Sequence, residues 1–303
     1  MNSNRIRVID LFSGCGGLSL GFQNAGFEIV AAYDNWNPAI EVYSENFKHP
    51  IIKTDLSNLD NLDKFMSFDH EVIIGGPPCQ DFSSAGHRNE KLGRADLTVV
   101  FADIVSKLLP KYFLMENVPR VKNSYVFKTA TERLKEAGYG LTGIVLDASR
   151  CGVPQIRKRF FLIGKLNGNH DFLLNDITEG LSEKQLTLFD YFGKSLGFEH
   201  YFRVPRSYNR RGIFSIYEPS MTIRGVDRPV PPGYPGHPGD SIPLNPDIRS
   251  LTVKERSLIQ TFPSNFKFNG SKTNMNQLIG NAVPVNLAKY VAEKLLKHIN
   301  NEK

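Results

Sequence analysis

The chain has 303 residues, a net charge of +6 and a pI near 9.1, which suits one large α/β domain, alone or with a smaller insert. Its 41% hydrophobic and 22% charged residues exclude a disordered or collagen-like chain. It has no apolar run near the roughly 18 residues of a membrane span, and its first residues lack the apolar h-region typical of a signal peptide. The widely spaced Cys15, Cys79 and Cys151 argue against a disulfide framework or a zinc site. We expect a cytoplasmic, soluble protein without metal or membrane contact, and the basic excess suggests a polyanionic partner.

Short apolar runs alternate with amphipathic stretches through the first half of the chain. The predicted strands are Arg5–Phe12, Glu28–Tyr33, Ile51–Lys53, Glu71–Ile74, Lys111–Met115, Leu141–Leu146 and Phe160–Gly164. The predicted helices are Leu18–Ala25, Pro38–Phe47, Leu97–Leu109 and Tyr125–Ala137. This alternation is typical of a doubly wound α/β fold, in which helices cover both faces of a mainly parallel sheet.

The alternation stops after about Gly164. Between Phe202 and Asn245 the chain has eight prolines and no convincing helix, which predicts a smaller, irregular β-rich domain or a long surface insert. Helical periodicity returns at Thr252–Thr261 and Pro284–Ile299. The predicted division is a main domain of residues 1–190 and 275–303 and a smaller domain of residues 191–274.

A glycine-rich turn, Ser13–Gly17, lies between the first strand and the first helix. Glycines there let the backbone approach a ligand, and the start of a helix favours anionic groups. Asp34 ends the next strand, near the spacing at which an acidic side chain reaches ribose hydroxyls. Because the glycine spacing differs from the dinucleotide pattern, a nucleoside-type cofactor is favoured over a pyrophosphate. An ordinary tight turn between a strand and a helix is the alternative.

Cys79 follows the turn Gly75–Pro78, whose two prolines restrict the backbone. Open α/β folds bind ligands at the carboxyl edge of the sheet, where this turn is expected. A thiolate held on a rigid turn suits covalent catalysis when nearby positive charge lowers its pKa. The alternative is a buried structural cysteine, which is the interpretation we favour for Cys15 and Cys151.

Charged residues follow or precede two further strands. Glu116 follows the strand that ends at Met115, and a protonated carboxyl there is able to donate to a ring nitrogen, although a capping or salt-bridging role is the alternative. Arg157 and Arg159 precede another strand, and alternation in an extended chain would point both guanidinium groups to one side. Such a pair suits a phosphate or a base carbonyl; a solvated charged face is the alternative.

The ordered combination of motifs closely resembles the DNA (cytosine-5)-methyltransferases. The motifs are Asp10–Gly17, Gly76–Gln80, Glu116–Val118, Gln155–Arg159, Arg249–Glu255, Gln260–Pro263 and Gly280–Pro284. They span nearly the whole chain in the family's order and leave only the proline-rich insert unconstrained. The resemblance implies a Rossmann-like domain that uses S-adenosylmethionine and releases S-adenosylhomocysteine, with the insert as a target-recognition domain.

By this resemblance, the cofactor is bound by residues from both ends of the chain. They are Phe12, Gly14, Gly16 and Gly17 around the methionine and adenosine, Asp34 at the ribose, Asn35, Trp36, Asp55 and Leu56 near the adenine, and Pro77, Asn281, Ala282 and Val283. Many members carry Glu at the ribose position where this chain has Asp34. The residues after it leave open the register of an aromatic contact to adenine.

The resemblance also implies covalent catalysis on a cytosine that is flipped out of duplex DNA. Cys79 would attack C6, Glu116 would bind N3 and the exocyclic amine, and Arg159 would contact O2 with support from Arg157. The expected DNA-binding residues are Gln80, Ser83, Arg203, Arg206, Arg210, Arg211, Thr222, Arg224 and Arg228. Generic phosphate contact is the favoured alternative to base reading for these arginines. Arg94–Thr98 departs from the run that family members often carry after the catalytic loop.

The resemblance favours a bacterial modification enzyme of a restriction system, since no regulatory domain precedes Asp10. We expect a monomer associated with the nucleoid, whose partners are double-stranded DNA and a restriction endonuclease that acts on the same site. A tRNA cytosine methyltransferase and a non-catalytic DNA-binding relative are the alternatives. Intact Cys79, Glu116 and Arg159 argue against the second. The positive charge is local, with five cations and no acid in residues 150–165 and six arginines against two acids in residues 200–233.

Overall fold

The structure is a computed structural model that describes residues 5–58, 67–78, 96–205, 207 and 209–302. It divides into two compact units. The first comprises Met1–Leu146, Lys158–Leu181 and Ala288–Lys303, and the second comprises Asp147–Arg157 and Ser182–Leu287. The predicted division into a catalytic domain of residues 1–190 and 275–303 and a target-recognition domain of residues 191–274 stays a prediction.

Strands occur in both units. In chain order they are β1 (Arg7–Leu11), β2 (Glu28–Asp34), β3 (Ile51–Lys53), β4 (Val72–Gly75), β5 (Tyr112–Asn117), β6 (Tyr139–Asp147), β7 (Gln155–Ile156), β8 (Lys158–Leu166), β9 (His200–Phe202), β10 (Ile213–Ser215) and β11 (Ser220–Met221). Every residue of β4 and β5 is buried, as is typical of central strands in a parallel sheet.

Helices separate most of these strands. In chain order they are α1 (Gly17–Ala25), α2 (Asn37–Asn46), α3 (Leu97–Leu108), α4 (Tyr125–Glu136), α5 (Leu174–Glu179), α6 (Leu188–Phe192), α7 (Val253–Ile259), α8 (Lys272–Asn281) and α9 (Val285–Asn301). Local capping fixes several starts: Asp96 accepts from the Thr98 amide at α3, and Ser124 accepts from the Phe127 amide at α4. Among the described residues, no helix is both long and apolar enough to cross a membrane.

Among the described residues, seven strands of the first unit form one sheet in the order β3-β2-β1-β4-β5-β8-β6. The pairs from β3 to β5 are parallel, and β8 runs antiparallel to β5. The predicted α/β fold with a mainly parallel sheet is confirmed. The strand order reverses between β1 and β4, so the carboxyl ends of these two strands form the switch point at which open α/β sheets bind ligands.

The second unit has little regular structure. Antiparallel β9 and β10 and parallel β7 and β11 are its two-stranded sheets in the described residues. Tyr201, Phe214 and Ile259 belong to its hydrophobic cluster. Asp240 holds the proline-rich segment, because its carboxylate accepts from the amides of Gly212, Ile213 and His237 at 2.8–2.9 Å and from the Tyr234 hydroxyl.

Candidate active site

The registers of the parallel strands bring the sequence motifs of the first unit to one edge. Leu11 of β1 pairs with Tyr33 of β2 and with Gly75 of β4, and Gly75 pairs with Met115 of β5. The residues that follow these positions therefore emerge side by side at the carboxyl ends of the strands. The glycine turn, Asp34, the Gly76–Pro78 turn and Glu116 all lie along this edge.

The turn after β1 has a backbone that few residues tolerate. Phe12 has a φ of 57° and Gly16 a φ of 89°, both in the left-handed region. A Cβ on residue 16 would lie 2.4 Å from the Phe47 ring, so a glycine is required there for space as well as for conformation. No atom of the described residues lies within 4 Å of the corresponding position on Gly14. A strained non-glycine residue at a ligand-binding edge is typical of a functional turn.

Asp34 is held in a fixed orientation by two backbone amides. The Gly14 amide donates to Oδ2 at 2.8 Å, and the Trp36 amide donates to Oδ1 at 2.9 Å. Each carboxylate oxygen has a second lone pair and is able to accept one more hydrogen bond. The side chain is thus pre-oriented for a ligand that carries two hydroxyl groups.

A buried polar chain lies behind the glycine turn. Ser19 Oγ donates to Asp10 Oδ2 at 2.5 Å, and the Tyr43 hydroxyl lies 2.7 Å from both Ser19 Oγ and His49 Nε2. Asp10 is fully buried, and its Oδ1 has no hydrogen-bond partner among the described residues. Burial raises the pKa of Asp10 to about 7, so the carboxyl is partly protonated at neutral pH.

The segment after β3 contains two of the predicted cofactor residues, of which one is exposed and the other buried. Asp55 is exposed and accepts from the hydroxyl and the amide of Ser57, which lower the pKa of its carboxyl. Leu56 is buried with 3% of its surface exposed. Of these two residues, Asp55 is the one that presents a polar group at this point of the edge.

Asn117 links the end of β5 to the turn after β4. Its Nδ2 donates to the carbonyl of Pro77 at 3.2 Å, while its Oδ1 accepts from the amide of Val118 at 2.8 Å. The contact fixes the backbone two residues before Cys79. Asn117 is a positioning residue that the sequence analysis included in a motif but gave no role. Its position in the sequence gives a hint of this role, because consecutive strand residues project to opposite sides and the residue after Glu116 therefore meets a different neighbour.

Glu116 and Arg159 form a nearly buried ion pair. Arg159 Nε lies 2.8 Å from Glu116 Oε1, and the two side chains are 14% and 10% exposed. Burial lowers the pKa of Arg159, and the charge of Glu116 opposes that effect. A Cβ on residue 76 would lie 3.3 Å from Glu116 Oε2, so Gly76 leaves room for the carboxylate. The pair therefore lies directly beside the turn that leads to Cys79.

Arg157 has a different role from Arg159. Its side chain is buried in the second unit, where it donates to the carbonyls of Ile223, Gly280 and Ala282 at 2.8–3.0 Å. The prediction that Arg157 and Arg159 form one ligand site was wrong for Arg157. Its reasoning assumed one extended strand, but β7 ends at Ile156 and β8 begins at Lys158, so alternation does not pass through residue 157.

Two glutamines extend the buried contacts of Arg157 within the second unit. Gln155 donates to Gln260 at 2.8 Å and accepts from the Ile223 amide, and Gln260 donates to the carbonyls of Ile279 and Ala282. Ala282 therefore contributes its carbonyl to the interior. Val283 is buried, whereas the neighbouring Asn281 is exposed.

The arginines expected to bind DNA fall into two groups. Arg211 pairs with Glu218 and lies over the Phe214 ring, whereas Arg203 and Arg224 donate to the carbonyls of Thr222 and Val204. The other two described members, Arg210 and Arg228, are exposed, and neither guanidinium has an ion pair or hydrogen bond within the described ranges. Thr222 donates its hydroxyl to the Ile156 carbonyl.

Four of the expected site residues, Cys79, Gln80, Ser83 and Arg206, lie outside the described residues. The other two cysteines, Cys15 and Cys151, are buried, and burial raises the pKa of each thiol to about 12. Because a thiol with such a pKa is almost entirely protonated at neutral pH, neither one suits a nucleophile. This leaves Cys79 as the candidate.

The comparisons with known proteins agree over nearly the whole chain. The model of the C-5 cytosine-specific DNA methylases matches residues 6–297. The Type II methyltransferase M.HindV of Haemophilus influenzae is 55% identical over 293 residues, which are 96% of each chain. The Type II methyltransferase M.HgiDI of Herpetosiphon aurantiacus is 54% identical over 296 residues, which are 97% of this chain and 96% of that protein.

Among solved structures, the S. pombe Dnmt2 methyltransferase matches with a TM-score of 0.75 at 21% identity, over 98% of this chain and all of that one. This likeness shows a shared Rossmann-like methyltransferase fold, whereas the family rests on the family model and on the two relatives above half identity. The predicted family is therefore confirmed: the chain belongs to the C-5 cytosine-specific DNA methylases and is a DNA (cytosine-5)-methyltransferase.

Proposed function

We propose that this enzyme transfers a methyl group from S-adenosylmethionine to C5 of a flipped-out cytosine in a specific duplex DNA sequence, through a covalent bond between Cys79 and C6. The observation that carries the proposal is the Glu116–Arg159 pair, which lies beside the turn before Cys79. An acid and a guanidinium at one point suit the N3, amine and O2 groups of cytosine.

The residues after β1 and β2 fit S-adenosylmethionine. The open space at Gly14 leaves room for a ligand, and the Asp34 carboxylate is oriented to accept from both ribose hydroxyls. The residues that would hold the cofactor in the first unit are Phe12, Gly14, Gly16, Gly17, Asp34, Asn35, Trp36, Asp55, Leu56 and Pro77. Asn281, Ala282 and Val283 stay a prediction from the resemblance. When bound, the cofactor supplies an electrophilic methyl group on a sulfonium.

Glu116 and Arg159 stabilise the cytosine ring as it loses aromaticity. Attack of the Cys79 thiolate on C6 moves an electron pair towards N3 and O2, and these atoms need a proton or positive charge close to them. Glu116 donates to N3 and holds the exocyclic amine, while Arg159 binds O2. After methylation, loss of the C5 proton and departure of the Cys79 thiolate regenerate the double bond and release 5-methylcytosine.

Asn117 and Arg157 support these groups without touching the base. Asn117 holds the Pro77 carbonyl, which fixes the turn that carries the nucleophile. Arg157 joins the Ile223 backbone to the end of α8 through its three carbonyl contacts. Arg157 is therefore a positioning residue in this proposal.

The second unit would read the DNA sequence. Arg210 and Arg228 have exposed guanidinium groups that are available for guanine edges or phosphates, and arginine serves both purposes in protein–DNA complexes. Arg203, Arg211 and Arg224 are held by carbonyls or by Glu218, so they shape the binding surface. We expect a monomer that protects its site from a restriction endonuclease of the same specificity.

The decisive test is sequencing of bisulfite-treated DNA from cells that express the enzyme, which identifies both the modified base and its recognition sequence. In vitro, the wild type should methylate duplex DNA, and Cys79→Ser should lose activity while it still binds DNA and cofactor. Cys151→Ala is the matched control and should retain activity. Full activity of Cys79→Ser, or transfer to tRNA instead of duplex DNA, would contradict the proposal.

Duplex DNA with 5-fluorocytosine at the target separates the covalent mechanism from a direct transfer. Fluorine at C5 blocks the proton loss that precedes departure of the thiolate, so the enzyme should remain bound through denaturing electrophoresis. The Cys79→Ser variant should give no such complex. An active wild type that forms no stable complex would exclude the adduct.

A further inference from the structure

A cationic strip follows the strand that carries Glu116 and has no place in the reaction described so far. It consists of Arg120, Lys122 and Lys128 together with Tyr125, on the 3-10 segment Pro119–Asn123 and the first turn of α4. All four side chains are exposed, and Tyr125, at 82%, is the most exposed large hydrophobic side chain among the described residues. Residues 117–131 contain these three cations and no acidic residue.

The cations of the strip have no counterions in the part of the chain that the structure describes. None of their side chains has an ion pair or a hydrogen bond there. At the other end of α4, by contrast, Arg133 pairs with Asp103. Exposed cations that repel one another destabilise the fold unless a partner supplies negative charge, and a polyanion is the partner that fits several of them at once.

The strip begins just beyond the end of β5, the strand that carries Glu116, and Lys122 is anchored on the neighbouring strand β8. Its Nζ lies over the Phe160 ring at 5.6 Å from the centroid, a cation–π contact that holds the ammonium group. Phe160 directly follows Arg159 and pairs with Asn117 across β5 and β8. Consecutive strand residues project to opposite faces, so the contact between Lys122 and Phe160 lies on the other face of the sheet from the Arg159 side chain. The 3-10 segment that carries Arg120 and Lys122 begins two residues after Asn117, where β5 ends.

We propose that this strip binds the phosphate backbone of the substrate DNA and positions the duplex over the Glu116–Arg159 pair. Lysine and arginine side chains contact phosphates without reading sequence, and tyrosine hydroxyls donate to the same oxygens. The strip, in the first unit, contributes to DNA affinity and to the position of the duplex on the enzyme. Recognition of the base sequence is proposed for the second unit. The inference rests on the proposed function, because it takes duplex DNA as the substrate.

The test is the salt dependence of DNA binding by the full-length enzyme. Each phosphate contact contributes about 0.9 to the slope of log Kd against log salt concentration. The variant Arg120→Gln/Lys122→Gln/Lys128→Gln should lower this slope by about two to three and weaken binding at ~0.1 M salt by at least tenfold. Its kcat at saturating DNA and its affinity for S-adenosylmethionine should stay within about twofold of wild type.

Lys135→Gln is the matched control, because Lys135 is an exposed cation in the last turn of the same helix. It should leave the slope unchanged. A triple variant with the slope of the control would overturn the inference, as would a fall in kcat with an unchanged slope. Arg120→Gln and Lys128→Gln, measured singly, give the same test without loss of the Lys122 contact to Phe160.

Failure of the proposed function gives a different result. A wild type that binds duplex DNA with a steep salt slope and transfers no methyl group to cytosine would refute the reaction and leave the strip intact. A wild type that methylates DNA, together with a triple variant whose slope is unchanged, would refute the strip alone.

Discussion

Arg157 and Arg159 are separated by a single residue, yet their replacement by lysine should have opposite effects. Arg157→Lys keeps the charge but removes the branched guanidinium that donates to three buried carbonyls at 2.8–3.0 Å. A lysine is able to satisfy one of these acceptors. Loss of the other two hydrogen bonds from a charged donor, at about 1.5–3 kcal/mol each, should lower the free energy of unfolding by about 3–6 kcal/mol. That is a large share of the roughly 5–15 kcal/mol typical of folded proteins.

Arg159→Lys should leave the fold nearly intact and impair the chemistry. A lysine retains the charge next to Glu116 but loses the planar group that is proposed to bind O2, so kcat should fall by about 10²–10³-fold. Urea denaturation followed by circular dichroism measures the first effect, and methyl transfer at saturating DNA measures the second. If Arg157→Lys unfolds at the wild-type urea concentration and loses kcat a hundredfold, the structural assignment of Arg157 is refuted.

Three further predictions follow from buried polar contacts. The pKa of Asp10 is raised to about 7, above its value near 3.8 when unfolded, so its contribution to the free energy of unfolding falls as the pH rises from 4 to 7. Asp10→Asn should remove this pH dependence, which amounts to up to about 4 kcal/mol over the interval, as measured by urea denaturation at each pH. Asn117→Ala removes the contact to the Pro77 carbonyl and should lower kcat by about tenfold with a loss of stability near 1 kcal/mol, seen by comparing kinetics with thermal melting. Burial alone would raise the pKa of Asp240, but hydrogen bonds from Ile213 and its neighbours lower it. Asp240→Asn should therefore lower the free energy of unfolding by about 1–3 kcal/mol at pH 7 and by less below pH 4. Equal losses at both pH values would contradict this assignment.

The elements of the first unit were predictable because their local signals agree with their tertiary environment. β4 and β5 are continuous buried runs, and their ends were predicted to within two residues. The short helices α5, α6 and α8 were not predicted, since they depend on caps such as Thr187 with Asp190 rather than on long apolar periodicity.

The roles of single side chains were less predictable than the elements that carry them. Arg157 was misassigned because the strand break after Ile156 leaves no mark in composition or periodicity. Asn117 received no role because its partner, Pro77, lies far away in the chain and is brought close only by the pairing of β4 and β5. The register between strands that are distant in the chain cannot be predicted from local sequence. A motif therefore predicts which residues belong to a site more readily than it predicts the contacts of each residue.

The end of β5 combines two tasks that the proposed chemistry needs together. Glu116 pairs with Arg159 across the antiparallel strands, and Asn117, the next residue, binds the Pro77 carbonyl before Cys79. Because both residues belong to one buried strand, the acid proposed to stabilise charge on the base and the turn proposed to present the nucleophile are fixed in a common frame. A displacement of either by 1 Å is costly for a covalent step, so rigid coupling through one strand end favours catalysis. The end of β5 therefore couples a group proposed to bind the base, Glu116, to a residue that positions the turn before Cys79, Asn117.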